Sequence, residues 1–184
     1  MPLVILCGLP CAGKTYWANV LVEKLKNVSK NPILLINKEK LSLSADELYR
    51  STISEKNHRS RIRANVERNL NAEKIVIADF LCHIKGLRYE LYTRSKEANT
   101  TNCVLFCDES VEVCRDRNSA ENVYSQKIFC DLAKRFEPPE TKSRWESPMF
   151  VIKGGKPQFC WEELTDYVLS GKRLRPSFST HKVL

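Results

Sequence analysis

The chain has 184 residues, 42% of them apolar and 28% charged, and carries a formal charge of +8 at neutral pH. That length suits one domain with a sizeable buried core, and the composition excludes collagen-like and low-complexity chains. No apolar stretch approaches the ~20 residues of a membrane span, and the positive charge is compatible with a polyanionic partner or with a generically basic surface.

Residues 2–7 form an apolar, β-forming run that leads directly into Gly8-Leu9-Pro10-Cys11-Ala12-Gly13-Lys14-Thr15. This is G-x-x-x-x-G-K-[ST], the spacing of a phosphate-binding loop. A polyphosphate must be surrounded by backbone N–H groups, so residues without a Cβ are needed where chain and phosphate nearly touch. Lys14 then reaches the β- and γ-phosphates, and the Thr15 hydroxyl is placed to ligate Mg²⁺. Trp17, Leu21 and Leu25 recur at i+4, with Ala18 and Val22 widening the stripe, so a helix follows the loop. The free N–H groups at its start favour an anion. The apolar N-terminus lacks the basic segment of a signal peptide and runs straight into this loop.

Asn27 to Pro32 is a breaker cluster, and Ile33-Leu34-Leu35-Ile36 reads as a second buried strand ending at Asn37-Lys38-Glu39. Residues 40–57 are polar, with Ser44-Ala45-Asp46-Glu47 a helix start. Residues 58–72 read as a helix whose stripe is Ile62, Val66 and Leu70. His58, Arg59, Arg61, Arg63 and Arg68 surround that stripe as a solvated face or a surface for a phosphate backbone. Lys74-Ile75-Val76-Ile77-Ala78-Asp79 describes a buried strand closing on a carboxylate. Beside a phosphate loop, such a carboxylate holds Mg²⁺ through water; the other reading is a helix cap or turn aspartate.

A helix is expected over 84–98, a strand over Cys103–Cys107 and a helix from Ser110 to Arg117, with Arg115-Asp116-Arg117-Asn118 as a charged turn. Another helix covers 125–136 and stops at Pro138-Pro139. Pro148 to Ile152 is the last strand, and Trp161 opens the last helix. Alternation of this kind predicts an α/β fold with a five-stranded, mostly parallel sheet, helices on both faces, and ligands beyond the carboxyl ends of the strands. Eight cysteines with no C-x-x-C pair read as reduced, packed thiols, which fits a cytoplasmic or nuclear compartment. Cys11 is the thiol whose alkylation is expected to affect function. Residues 1–171 form the domain, and 172–184, with Lys172, Arg173, Arg175, His181 and Lys182, a basic linker or tail.

Longer stretches carry a family resemblance. Lys85-Gly86-Leu87-Arg88-Tyr89-Glu90-Leu91-Tyr92, Arg135-Phe136-Glu137-Pro138, Arg144-Trp145-Glu146-Ser147-Pro148-Met149-Phe150 and Gly171-Lys172-Arg173-Leu174-Arg175-Pro176 resemble signatures of the Elongator-associated killer toxin insensitivity ATPases. These are relatives of the L-seryl-tRNA(Sec) kinase. The resemblance implies a P-loop kinase-like ATPase using ATP and Mg²⁺, stimulated by tRNA, and assisting the Elongator complex that modifies the wobble uridine. A tRNA-binding domain follows this segment in the family, so the chain is expected to be the nucleotide domain alone or a short member. Two positions depart. Asp79-Phe80-Leu81-Cys82 stands for the family's Asp-Ser-Leu-Asn, and Asn37-Lys38-Glu39 lacks the aspartate after the second strand. The second departure weighs against transfer to an acceptor hydroxyl more than against hydrolysis.

The expected site follows. Gly8, Leu9, Pro10, Cys11, Ala12, Gly13, Lys14 and Thr15 hold the phosphates, Lys14 neutralises the transferred group, and Thr15 and Asp79 hold Mg²⁺. Arg115 or Arg117 serves as a lid arginine, with Asn118 close to the base; the alternative is a solvent-exposed turn. Arg88, and Arg144 with Trp145, contact RNA or buttress the fold. The competing functions are a tRNA-stimulated ATPase, a kinase acting on seryl-tRNA or a small-molecule hydroxyl, and a nucleotide-gated docking module.

Overall fold

A parallel sheet with helices on both faces organises the molecule. The computed structural model describes residues 2–37 and 44–172. Lys38, Glu39 and the basic tail from 173 onward lie outside the described residues. The strands are β1 (Leu3–Gly8), β2 (Ile33–Asn37), β3 (Ile75–Asp79), β4 (Asn102–Asp108), β5 (Met149–Lys153) and β6 (Lys156–Pro157). The helices are α1 (Lys14–Val28), α2 (Ala45–Tyr49), α3 (Thr52–Asn69), α4 (Lys85–Glu97), α5 (Val111–Glu121), α6 (Gln126–Lys134) and α7 (Trp161–Ser170).

The sheet order is β2-β3-β1-β4-β5-β6. The first five strands run parallel, and β6 returns antiparallel to β5. The sixth strand corrects the expected count of five. It is made by the Gly154-Gly155 turn, where both residues have positive φ, as a tight hairpin requires. Two residues are too few for periodicity to reveal a strand.

Both faces of the central strands are buried, which explains their continuous apolar runs. Val4 and Leu6 of β1 face a core shared with α1, α5, α6 and α7 through Leu21, Leu25, Cys114, Phe129, Leu132 and Leu164. Leu3, Ile5 and Cys7 face the other core, with Ile62 and Val66 of α3 and Leu87 and Leu91 of α4. Trp161 of α7 stacks on Trp17 of α1 at 6.1 Å between ring centroids.

Helix α2 starts where expected, and two other helices differ from expectation. Ser44 caps α2 with a complete capping box: its side chain accepts from the Glu47 N–H while the Glu47 carboxylate accepts from the Ser44 N–H. Helix α3 begins at Thr52, six residues before the expected start, and its buried stripe is Glu55, His58, Ile62 and Val66. His58 is therefore interior, not part of a solvated face. Helix α5 continues to Glu121, so the expected charged turn at 115–118 is helical.

Three of the four signature stretches meet in one structural cluster around α4; the fourth leaves the described residues after Lys172. The Lys85 N–H at the start of α4 donates to the Glu137 carboxylate, which supplies the cap that Ile84 lacks. Arg88 is fully buried. Its Nε donates to Glu146 Oε1 at 2.7 Å, and its two terminal nitrogens donate to the carbonyls of Cys82 and Glu137, each at 2.8 Å. The second Glu146 oxygen accepts from the Glu140 N–H at 2.8 Å.

Candidate nucleotide-binding site

The loop between β1 and α1 has the geometry of an anion cradle. Gly8 closes β1 with φ +152°, and a Cβ there would lie 2.6 Å from the Cys107 carbonyl on β4. Only glycine lets the two strands stay paired to this point. Gly13 caps α1 in the left-handed conformation, with φ 85°. The Lys14 ammonium is buried and donates to the carbonyls of Leu9 at 2.6 Å and Gly8 at 3.3 Å, which spends two of its three donors on the loop. Across the loop, Thr15 Oγ1 donates to Asp79 Oδ2 at 2.7 Å. Asp79 is 5% exposed and ends β3, the strand beside β1. A hydroxyl from the first turn of α1 and a carboxylate from the end of β3 thus converge on one point, the donor pair expected for Mg²⁺.

Cys11, Ala12, Gly13, Lys14 and Thr15 line a cavity of about 590 Å³. Gly8, Leu9 and Pro10 are buried behind that lining. Cys11 adopts φ 60°, and its thiol donates to Asn118 Oδ1 at 3.7 Å. Arg117 lines the cavity and donates from Nη1 to the Cys11 carbonyl at 3.4 Å and from Nη2 to Glu109 Oε2 at 3.2 Å. Arg115 does not line it. Residues two apart on a helix diverge by about 200°, so one of the pair alone can face the loop, and that one is Arg117. Asn118 does not line it either. Its Nδ2 donates to the Tyr124 carbonyl and its Oδ1 accepts from the Tyr124 N–H, both at 2.9 Å, so the buried amide joins α5 to the following turn instead of meeting a base.

The expected RNA contacts divide. Arg88 is enclosed and fully engaged, which removes it from any RNA surface. Trp145 is partly buried with its ring edge-on to Tyr89 at 5.4 Å, and its carbonyl accepts from Asn102 Nδ2 at 3.1 Å. Arg144 is exposed.

The opposite cavity wall was not foreseen. Leu48 and Tyr49 of α2, His58 of α3, Phe80 and Leu81 after β3, and Tyr124 after α5 complete it. Extending the Ile62 stripe toward the N-terminus of α3 by helical spacing reaches His58 and Glu55, so that signal was present. Desolvation, then repulsion from Arg61, pushes the His58 pKa down to about 4, leaving its imidazole neutral at pH 7. Beneath it, the hydrogen bond with His83 and then the Arg135 guanidinium pull the Glu55 pKa down to about 2. Burial pushes the thiols of Cys7 to about 11 and of Cys82 and Cys107 to about 12, so they behave as packed hydrophobes. Among the described residues no group of three or more His, Cys, Asp or Glu could hold a metal ion, and no helix is long and apolar enough to cross a membrane. A Mg²⁺ ion needs no such cluster, because it keeps waters and takes phosphate oxygens.

Comparison with known proteins settles the family. Residues 1–183 match the family described as chromatin associated protein KTI12. The chain belongs to the KTI12 family. A KTI12 homolog of Xenopus laevis is 37% identical over 98% of this chain, covering 66% of the relative; one of Arabidopsis thaliana is 39% identical over 83% of the chain, covering 52% of the relative. The chain spans about half the length of several of the curated KTI12 relatives that it matches. Among solved structures, Chaetomium thermophilum Kti12 in complex with ADP-AlF3 superposes with a TM-score of 0.82 at 32% identity, over 92% of this chain and 98% of that one. A shikimate kinase from Acinetobacter baumannii shares the fold alone, with a TM-score of 0.56 at 17% identity. The chain is thus an α/β protein of the P-loop, kinase-like fold.

Proposed function

We propose that this chain is a Mg²⁺-dependent ATPase whose turnover rises when tRNA binds, and that it assists the Elongator complex in modifying the wobble uridine of tRNA. The observation that carries the enzymatic part is the 2.7 Å approach of Thr15 Oγ1 to Asp79 Oδ2 beside the buried Lys14. Phosphoryl transfer needs positioning and charge neutralisation more than covalent chemistry. The loop N–H groups orient the phosphates, and Lys14 opposes charge on the transferred group. Thr15 directly, and Asp79 through water, would hold Mg²⁺, whose charge neutralises the β- and γ-phosphate oxygens. Arg117, anchored to Cys11 and Glu109, lines the same cavity, and that supports a lid-arginine role for it. The C. thermophilum Kti12 was crystallised with ADP-AlF3, in which aluminium fluoride stands in for a phosphoryl group in transfer, and that supports the reading. The tRNA and Elongator parts rest on family resemblance and on the net charge of +8.

The test is phosphate release from ATP with and without bulk tRNA, in Mg²⁺ and in chelator. Release that rises with tRNA and stops in chelator is expected; release unaffected by either overturns the reading. Saturating Mg·ATP near 100 times its Kd adds about 2.7 kcal/mol of stability, or roughly 5–11 °C in Tm for a domain of this size. Lys14→Ala should lose most of that shift. A second reading is a kinase acting on seryl-tRNA or a small-molecule hydroxyl, favoured by the cavity continuing past Asp79 to Tyr49 and His58. Labelled γ-phosphate on an acceptor, not in solution, identifies that case.

A further inference from the structure

Lys14 and the Thr15–Asp79 pair mark the terminal-phosphate end of a bound triphosphate. Asp79 ends β3, on the β2 side of β1, whereas the cavity-lining Arg117 and Gly155 follow β4 and β5 on the other side. The nucleoside of ATP therefore extends toward Arg117 and Gly155. The wall of Tyr49, His58 and Phe80, joined by Tyr124 at 6.2 Å from Tyr49, lies at the Asp79 end of the cavity, away from Gly155.

That wall has the character of a binding surface. Tyr49 stands edge-on to His58 at 5.6 Å and lies 6.2 Å from Tyr124, and His58 stands edge-on to Phe80 at 6.1 Å between ring centroids. His58 is 3% exposed and makes no hydrogen bond among the described residues, and its Nδ1 is enclosed without a partner. A buried polar group of this kind calls for a partner from outside the protein. His58 and Leu48 also border a second cavity of about 230 Å³, whose other walls include the exposed Arg50 and Arg61. Glu47 borders it too, but its carboxylate is tied to the Ser44 N–H in the capping box. The aromatic chamber and this basic mouth thus share Leu48 and His58 as a common wall.

We propose that the two cavities form one site for a nucleotide of single-stranded RNA, with its base among Tyr49, His58, Phe80 and Tyr124 and its backbone phosphates on Arg50 and Arg61. The pairing of rings with cations matches how unpaired RNA is held: bases stack on aromatic faces while phosphates meet arginine. An imidazole that keeps one donor and one acceptor suits the edge of a base. The inference rests on RNA stimulation of the ATPase and assigns the residues through which RNA reaches the terminal phosphate.

The experiment uses the full chain with Mg·ADP and a single-stranded oligoribonucleotide carrying 4-thiouridine. After irradiation, cross-links should map to the peptides holding Tyr49, Phe80 or Tyr124 and disappear when unlabelled tRNA competes. Cross-links confined to the Tyr89–Trp145 surface overturn the assignment, and so does labelling of the same peptides by 8-azido-ATP. Arg50→Ala with Arg61→Ala, two exposed positions that do not threaten the fold, should make the log–log salt dependence of RNA binding shallower by about 1.4. An unchanged slope counts against the site. Tyr49→Leu should weaken RNA binding by about five- to a hundredfold while the ATP-induced Tm shift persists. If the unaltered chain neither binds nor responds to RNA, the tRNA reading fails and takes this site with it. If RNA stimulates turnover but cross-links elsewhere, the site alone fails.

Discussion

Arg88 offers the sharpest test of the packing, because the sequence leaves it as an RNA contact or a buttress of the fold and the structure encloses it. Replacing it by methionine leaves the Glu146 carboxylate in a fully buried position with only the Glu140 N–H as a partner, and strips donors from the carbonyls of Cys82 and Glu137. Breaking a buried ion pair from one side costs about 3–5 kcal/mol. At about 2–4 °C per kcal/mol for a chain of this size, Arg88→Met should lower Tm by roughly 6–20 °C. Arg88→Met with Glu146→Met removes the stranded charge and should be less destabilised than Arg88→Met alone. Thermal and urea unfolding followed by circular dichroism measure both. A single variant within 1 kcal/mol of the parent, or a double variant worse than the single, refutes the account. An RNA contact at Arg88 would instead lower the salt slope of RNA binding by about 0.7 with stability unchanged.

Acid should weaken the fold through His58. Its folded pKa of about 4 lies below the ordinary 6.5, so between those values the unfolded chain binds more protons. Stability therefore falls as pH drops from 6.5 toward 4, by up to about 3 kcal/mol. Glu55, held at about 2 against an ordinary 4.5, adds a second loss as pH falls from 4.5 toward 2. His58→Phe should flatten the first window in pH-dependent urea unfolding and leave the second. At the loop, Arg117→Ala should slow phosphate release by about tenfold or more, and more than Arg115→Ala does; equal effects would place the arginine function elsewhere.

The parts of the fold that were legible are local or repetitive. The cradle is eight consecutive residues described by one motif of fixed spacing, and Asp79 announces itself as the carboxylate closing an apolar strand. The two-residue β6 has no period to detect, although Gly154-Gly155 is a hairpin turn by residue type. The start of α3 was hidden for a different reason. Its stripe there is polar: Glu55, which His83 and Arg135 meet from later in the chain, and His58, which packs against the rings of Tyr49 and Phe80. Apolar periodicity cannot report a polar stripe. For Arg88 the sequence offers the buttress role but not the partners, since its carboxylate is on Glu146 and its acceptor carbonyls are on Cys82 and Glu137.

This difference in origin also separates the two halves of the cavity. The phosphate half depends on one continuous segment and the end of an adjacent strand, so a motif of fixed spacing describes it almost completely. The far half takes Tyr49 from α2, His58 from α3, Phe80 from the turn after β3 and Tyr124 from the turn after α5, and no spacing links them. Substitutions there can change what lies beyond the terminal phosphate without touching Lys14, Thr15 or Asp79. The departures from the family pattern at Phe80 and Cys82 fall at this boundary. Phe80 lines the chamber, whereas Cys82 is buried and uses its carbonyl to receive Arg88. Phe80 thus gives its ring to the far wall, the Cys82 contact is made by backbone and does not depend on its side chain, and the Asp79 carboxylate between the two halves matches the pattern.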